Sequence, residues 1–445
     1  MSGSHLSYVV QPGGCLVGRA RVPGDKSMSH RSIMLGALAD GVTEVSGFLE
    51  GEDSMNTLHA FRAMGVSIEG PVVGRVRIEG VGVDGLTAPE AELDLGNSGT
   101  AMRLMSGLLA GQAFDTVLTG DASLSGRPMG RVTQPLAEMG AEIGTAEGGT
   151  APLRIRGGRT LRGMDYTMPM ASAQVKSCLL LAGLYARGRT CVTEPAPTRD
   201  HTERMLSGFG YAVSRQGATV CLEGGGRLRA TDIDVPADIS SSAFFLVGAS
   251  IAEGSDLTLE HVGMNPTRDG VINILRLMGA DIEVLNPREV GGEPVADLRV
   301  KAAPLRGVRI PEDQVPLAID EFPSLFVAAA CALGETVLTG AEELRVKESD
   351  RIQVMADGLQ ELGIDARPTP DGIVIQGKGP GAVFSGGDVD SRGDHRIAMS
   401  FAMAALRSAG TIRIRDCANV NTSFPGFVNL SRGVGLDVNE ENADG

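Results

Sequence analysis

The chain has 445 residues, of which 42% are hydrophobic and 21% charged, and its formal net charge at pH 7 is -15. That length outgrows one compact core, so two domains are expected, and the lack of low-complexity segments argues against disorder. The acidic balance excludes general binding of nucleic acids or anionic membranes, which need broad positive faces, but it leaves room for a local cationic pocket that selects small anions.

The first residues, MSGSHLSYVVQPGG, lack a charged start followed by an apolar stretch, so no signal peptide is expected. The cysteines Cys15, Cys178, Cys191, Cys221, Cys331 and Cys417 show no CxxC spacing, and three sit in apolar runs. They read as reduced, buried cysteines of a cytoplasmic protein. The longest apolar runs, CLLLAGLYA and LFVAAACAL, are too short to cross a bilayer.

Along the chain one phrase recurs: Gly, an alternating strand, a polar turn, a helix, and a Met-Gly or Leu-Gly stop before another strand. Its copies start at Gly41, Gly111, Gly188, Gly254, Gly334 and Gly410, at steps of 66 to 80 residues. An apolar helix precedes each copy, from SMSHRSIMLGALADG to DHRIAMSFAMAALRSAG. These helices are apolar almost all round, so they should be buried. Each begins with a capping residue type and is expected to end at a Gly. Six units make two domains of three, with the chain crossing near VPADISS. We expect one domain over 23–238 with repeats 1–3, and a second of 1–22 plus 239–445 with repeats 4–6.

The helix entries, in chain order, carry the chemistry. PGDKSMSHR puts Lys26, His30 and Arg31 after a Pro-Gly turn. GEDSMN offers Asp53 as an N-cap. GVGVDG at 80–85 matches a dinucleotide fingerprint, but no helix pattern follows it, so that assignment fails. LGNSGTAMR, SGRPMGR (Arg127, Arg131), SAQVKS, PTRDHTER (Arg199), IDEFPS (Asp320), LRVKESDR (Lys347, Glu348, Arg351) and RGDHR (His395, Arg396) follow. Helix N-termini and cations together attract anions, and arginine suits carboxylate or phosphate. Asp320 and Glu348 are ordinary as a helix cap and a solvated charge, yet beside so many cations either could carry protons. His30 and His395 have no second ligand at metal spacing, so no metal is expected.

PGDKSMSHR, LGNSGTAMR, GRPMGR, SAQVKS, IDEFP, LRVKESDR and GDHRIAMSF, in this order, resemble the 5-enolpyruvylshikimate-3-phosphate synthases over nearly the whole chain. The resemblance implies an α/β enolpyruvyl transferase fold of two domains, each of three βαβαββ units, with the active-site cleft between them. It implies transfer of the enolpyruvyl group of phosphoenolpyruvate to the 5-hydroxyl of shikimate 3-phosphate through a tetrahedral intermediate, in a monomer without cofactor or metal. By the same resemblance Asp320 is the base at the 5-hydroxyl, and Lys26 and Glu348 handle the other proton transfers. Phosphoenolpyruvate falls to Lys26, Gly99, Arg127, Gln174, Arg351 and Arg396. Shikimate 3-phosphate falls to Lys26, Ser27, Arg31, Ser172, Ala173, Gln174, Arg199 and Lys347.

Much of that family has Pro where this chain has Leu104, and Lys where it has Thr422. SAQVKS, PTRDHTE and ELRVKESDR resemble the branch that includes glyphosate-tolerant bacterial enzymes and often has Ala at the place of Gly99; here Gly99 leaves room for glyphosate to compete with phosphoenolpyruvate. The UDP-N-acetylglucosamine enolpyruvyl transferases share the expected fold but place a Cys where this chain reads DASLSG, 121–126. A non-catalytic anion-binding relative is the reading from another class; the presence of all three proton-transfer candidates argues against it.

Overall fold

The computed structural model describes residues 6–442. The opening MSGSH and the last residues, 443–445, lie outside the described residues, as do the outer ends of the second expected domain. Two compact units emerge. One comprises Gly24–Val235 with Val290–Glu293; the other comprises the chain up to Pro23, Pro236–Glu289, and everything from Pro294 on.

In the first unit three buried helices, α1 (Lys26–Leu38), α3 (Gly99–Ala110) and α5 (Ala173–Gly183), alternate with α2 (Glu52–Ala63), α4 (Gly130–Glu138) and α6 (His201–Gly208). The second unit repeats the plan with α7 (Ile239–Ile251), α9 (Phe322–Cys331) and α11 (His395–Ala404), alternating with α8 (Gly270–Leu277), α10 (Arg351–Glu361) and α12 (Phe427–Val434). Every residue of α7 and α9 is buried, as expected of helices without a polar face. Each unit has its own hydrophobic core around its three inner helices.

There are six small sheets of three to five strands. Most are built from one repeat, with completing strands from elsewhere in the same unit. Leu228–Arg229 and Ile233–Asp234 pair in parallel with Ala39–Ser46. Val17–Ala20 pairs in parallel with Asp256–Gly263. Leu6–Val10 lies antiparallel between Ile412–Arg415 and Val438–Asn442.

Five of the six inner helices have a side-chain N-cap: Asp25, Ser98, Ser172, Asp238 and Asp394 each accept a backbone N–H of the first turn. The expected terminal glycines are displaced. Only α3 has one at its C-cap, Gly111; α1 and α7 end at Ala39 and Ala252, and positive φ falls two residues later, at Gly41 inside the following strand and at Gly254 in a turn. At these two ends the chain leaves the helix directly into extended backbone, so the left-handed residue is needed one or two steps later. Two other glycines are fixed by close approach. A Cβ on Gly24 would sit 1.8 Å from the Gly47 carbonyl oxygen, which explains the Pro-Gly entry to α1. A Cβ on Gly107 would sit 2.0 Å from the Cys178 carbonyl, so α3 and α5 meet backbone to backbone.

The expectation of wholly reduced cysteines is corrected. Cys191 and Cys221 are disulfide-bonded, with Cα atoms 4.1 Å apart. They stand directly opposite on the antiparallel strands Arg189–Thr193 and Thr219–Glu223. Facing residues of a narrow ladder pair come close enough to bond, whatever their sequence spacing. Cys178, Cys331 and Cys417 are free and buried, and Cys15 is free and half-buried. Among the described residues no helix is long and apolar enough to cross a membrane.

Candidate functional site

The first unit holds nine of the candidates, all but Arg199 at or near the starts of its inner helices. Lys26 and Ser27 open α1, behind the cap bond from Met28 N to Asp25 (2.8 Å). The Lys26 ammonium pairs with Asp53. Asp53 is therefore no N-cap, contrary to expectation. Gly51 holds that position in α2 without a side-chain bond, which frees Asp53, two residues further in, to face Lys26. Arg31 is buried and divides its guanidinium among the Ser27 carbonyl (2.8 Å), Thr202 Oγ1 (2.7 Å) and Ser177 Oγ (2.8 Å), binding α1 to α5 and α6. His30 is fully enclosed, with Nδ1 2.7 Å from Thr57 Oγ1. Burial first, then the charges of Lys26 and Arg31, push its pKa well below the ordinary value, so it is a neutral spacer between the cations.

Gly99 opens α3 after the cap Ser98, whose Oγ accepts from Ala101 N at 3.1 Å. A Cβ at Gly99 would lie 3.0 Å from Arg103 Nη1 and 3.2 Å from Arg127 Nη1, so two guanidinium groups face this helix start. Arg127 stands in the turn before α4, where Nη2 donates to Asn97 Oδ1 (2.6 Å) and Ser123 Oγ (3.1 Å). That leaves the hydrogens of Nη1 for a ligand. Ser172 caps α5, with Ala173 and Gln174 as its first residues. Gln174 accepts from Arg103 Nη1 at 2.6 Å and donates to Thr100 Oγ1 at 3.0 Å, joining the starts of α3 and α5. Arg199 lies in the loop before α6.

The second unit gathers the other five. Asp320 precedes α9 by two residues and does not cap it; Glu321 occupies the N-cap without a side-chain bond. The Asp320 carboxylate instead faces cations, 3.1 Å from Arg351 Nη1 and 3.6 Å from Lys347 Nζ. Glu348 lies in the bend before α10, not on a helix face, 2.6 Å from Arg351 Nη2. Lys347 also pairs with Glu343 at 2.6 Å. Arg351 is the hub. Its side chain is 1% exposed, and Asp394, the cap of α11, takes Nε at 2.8 Å. Burial alone would lower its pKa, yet Asp394, Glu348 and Asp320 together raise it. Asp394 also sits 3.4 Å from Nη2, so a single Nη1 hydrogen remains for any ligand. Arg396 opens α11 and reaches the Asp320 carbonyl at 3.2 Å.

The sequence reasoning missed Asp53, Arg103, Asn97 and Asp394. Local signals existed for Arg103, a charged residue inside an apolar helix, and for Asp394, the cap whose Oδ1 accepts from Arg396 N at 3.0 Å; Asp53 meets Lys26 and Asn97 meets Arg127 only through tertiary packing. At the place of the family's Lys, Thr422 is buried, its hydroxyl donating to the Asn419 carbonyl at 2.7 Å, so it adds no charge. Leu104 is buried in the core behind Gly99.

A sequence model of the family described as EPSP synthase (3-phosphoshikimate 1-carboxyvinyltransferase) matches residues 10–430. The chain is 72% identical over 438 residues to a 3-phosphoshikimate 1-carboxyvinyltransferase of Methylococcus capsulatus, covering 98% of this chain and 99% of that one. It is 70% identical to that of Alkalilimnicola ehrlichii, covering 99% and 98%. Among solved structures, an EPSP synthase from Acinetobacter baumannii superposes with TM-score 0.89 at 60% identity, covering 98% of this chain and all of that one. The enolpyruvyl transferase NikO from Streptomyces tendae, at TM-score 0.79 and 16% identity, shares the fold.

Proposed function

Since the chain belongs to the EPSP synthase family, we propose which of its residues run that family's reaction. The protein is a transferase that moves the enolpyruvyl group of phosphoenolpyruvate to the 5-hydroxyl of shikimate 3-phosphate and releases phosphate, through a tetrahedral intermediate.

We assign Asp320 as the base that takes the 5-hydroxyl proton. The observation that carries this is its placement: a half-buried carboxylate outside the helix cap, facing the Lys347 and Arg351 cations. Such a group is held in position by its cations, within reach of a substrate hydroxyl. Glu348, on the opposite terminal nitrogen of the same guanidinium, and Lys26, paired with Asp53, exchange the methylene proton. We assign phosphoenolpyruvate to Lys26, the Gly99 backbone, Arg127, Gln174, Arg351 and Arg396. Lys26, Ser27, Arg31, Ser172, Ala173, Gln174, Arg199 and Lys347 hold shikimate 3-phosphate. Backbone N–H groups at helix starts bind the anionic oxygens, and the arginines supply full charge.

As charge builds on the tetrahedral centre, donors already fixed by other bonds need no reorganisation to stabilise it. Arg127 and Gln174 fit that requirement, being anchored to Asn97 and Arg103. Scattered rather than contiguous exposed apolar side chains support a monomer, and the phosphorylated substrates support a cytoplasmic setting, against which the Cys191–Cys221 disulfide stands.

The test is phosphate release from phosphoenolpyruvate with shikimate 3-phosphate or UDP-N-acetylglucosamine as acceptor. Release is expected only with shikimate 3-phosphate. Asp320→Ala should lower kcat by about 10²–10⁴, the usual worth of a positioned base. Full activity in that variant would remove Asp320 from the mechanism.

A further inference from the structure

We propose that Lys176 is a positioning residue for the anion site of the first unit, setting the affinity for shikimate 3-phosphate without touching it. The proposal rests on the assignment of Ser172, Gln174, Arg31 and Arg199 given above.

Lys176 lies on α5, two residues beyond Gln174, and its side chain is 0% exposed. Its ammonium sits 3.0 Å from Glu194 Oε2, 2.8 Å from Glu203 Oε1 and 3.4 Å from the Thr198 carbonyl. The ammonium donates to Glu194 Oε2 and the Thr198 carbonyl and lies in ion-pair contact with Glu203 Oε1. The side chain is wholly enclosed, so any influence on binding passes through the partners.

The partners are what matter. Glu194 begins the loop that carries Arg199, and it closes that loop on itself by accepting Thr198 Oγ1 at 2.6 Å and Thr198 N at 3.2 Å. Glu203 is on the first turn of α6, beside Thr202, whose hydroxyl accepts from Arg31. Thr202 donates in turn to Ser177 Oγ, next to Lys176, and Ser177 accepts the other arm of Arg31. One ammonium thus joins α5, the Arg199 loop and α6, and the Arg31 guanidinium rests on the rungs beside it. Arg215, whose side chain is exposed, completes a cluster of two cations and two carboxylates from the solvent side. The buried part, Lys176 with Glu194 and Glu203, is a poor source of stability compared with apolar packing of the same volume, and the best-attested use of such a group is to specify one arrangement.

The experiment is calorimetric binding of shikimate 3-phosphate, with steady-state kinetics, on full-length Lys176→Met, Thr198→Val and Arg199→Ala. Lys176→Met should weaken shikimate 3-phosphate about tenfold, with kcat and the KM for phosphoenolpyruvate within about twofold. Thr198→Val, which removes only the hydroxyl bond to Glu194, should weaken it about threefold on the same scale; it decides the matter alone if Lys176→Met does not fold. A loss confined to thermal stability, or a fall in kcat with unchanged affinity, overturns the proposal. If Arg199→Ala weakens binding while neither other variant does, the site stands and Lys176 is only structural. If Arg199→Ala binds normally, the site assignment itself fails.

Discussion

On the assignment proposed above, one carbon atom at Gly99 should separate two anionic ligands. Its missing side chain leaves Arg103 and Arg127 within 3.2 Å of the space a methyl group would fill. Guanidinium ends can shift by a few tenths of an ångström, so Gly99→Ala should fold and retain activity. We expect its KM for phosphoenolpyruvate to rise a few-fold and its inhibition constant for glyphosate, the longer molecule, to rise at least tenfold, on the scale of 1.4 kcal/mol per decade. Equal shifts in an inhibition assay would show that this space does not discriminate. His30 makes a second prediction. Its folded pKa is depressed, while the unfolded chain takes a proton near 6.5. The neutral form therefore supports folding above that pH, and stability falls as pH drops below it, by up to about 1.4 kcal/mol per unit. His30→Gln, keeping a hydrogen bond to Thr57, should flatten the urea-midpoint profile between pH 7 and 5; an unchanged slope would assign the acid lability elsewhere.

The inner helices were legible in the sequence because everything that makes them is local. A cap such as Asp25 or Ser172 lies within four residues of the N–H it satisfies, and an unbroken apolar run signals burial by itself. The six-fold repeat, and the placing of Lys26, Gly99, Ala173 and Arg396 at helix starts, followed from the same local signals. What escaped is long-range. Nothing in GEDSMN shows that Asp53 faces Lys26, because α2 must first pack on α1. Nothing in the sequence spacing shows that Cys191 meets Cys221, because strand register decides it. That bond closes a loop with a sequence separation of 30, so the pair Cys191→Ser with Cys221→Ser should lose roughly 3–4 kcal/mol by the chain-entropy relation. Denaturant curves of the oxidised protein and the double variant measure it, and coincident midpoints would show that the paired strands need no covalent help.

For the molecule as a whole, a formal charge of -15 coexists with clusters of cations at buried helix starts. On the assignment proposed above, shikimate 3-phosphate needs those cations assembled, so the folded state alone should recognise it. A hundredfold excess over its dissociation constant should stabilise the protein by about 2.7 kcal/mol, read as a higher melting temperature. Inorganic sulfate at the same concentration should do far less. An equal effect of both would mean that ionic strength, not recognition, is responsible.

The pairing of Leu6–Val10 between Ile412–Arg415 and Val438–Asn442 has a consequence for synthesis. A nascent chain leaves the ribosome from its N-terminus, so this strand emerges hundreds of residues before either neighbour exists. Gly24–Val235 can by contrast complete most of its own core while translation continues. Until residue 442 is out, Leu6–Val10 offers two unpaired edges to whatever is nearby, the kind of template that nucleates aggregation. A ribosome stalled before residue 412 should thus display a protease-resistant first unit and an N-terminal strand open to cleavage, or to capture by a chaperone.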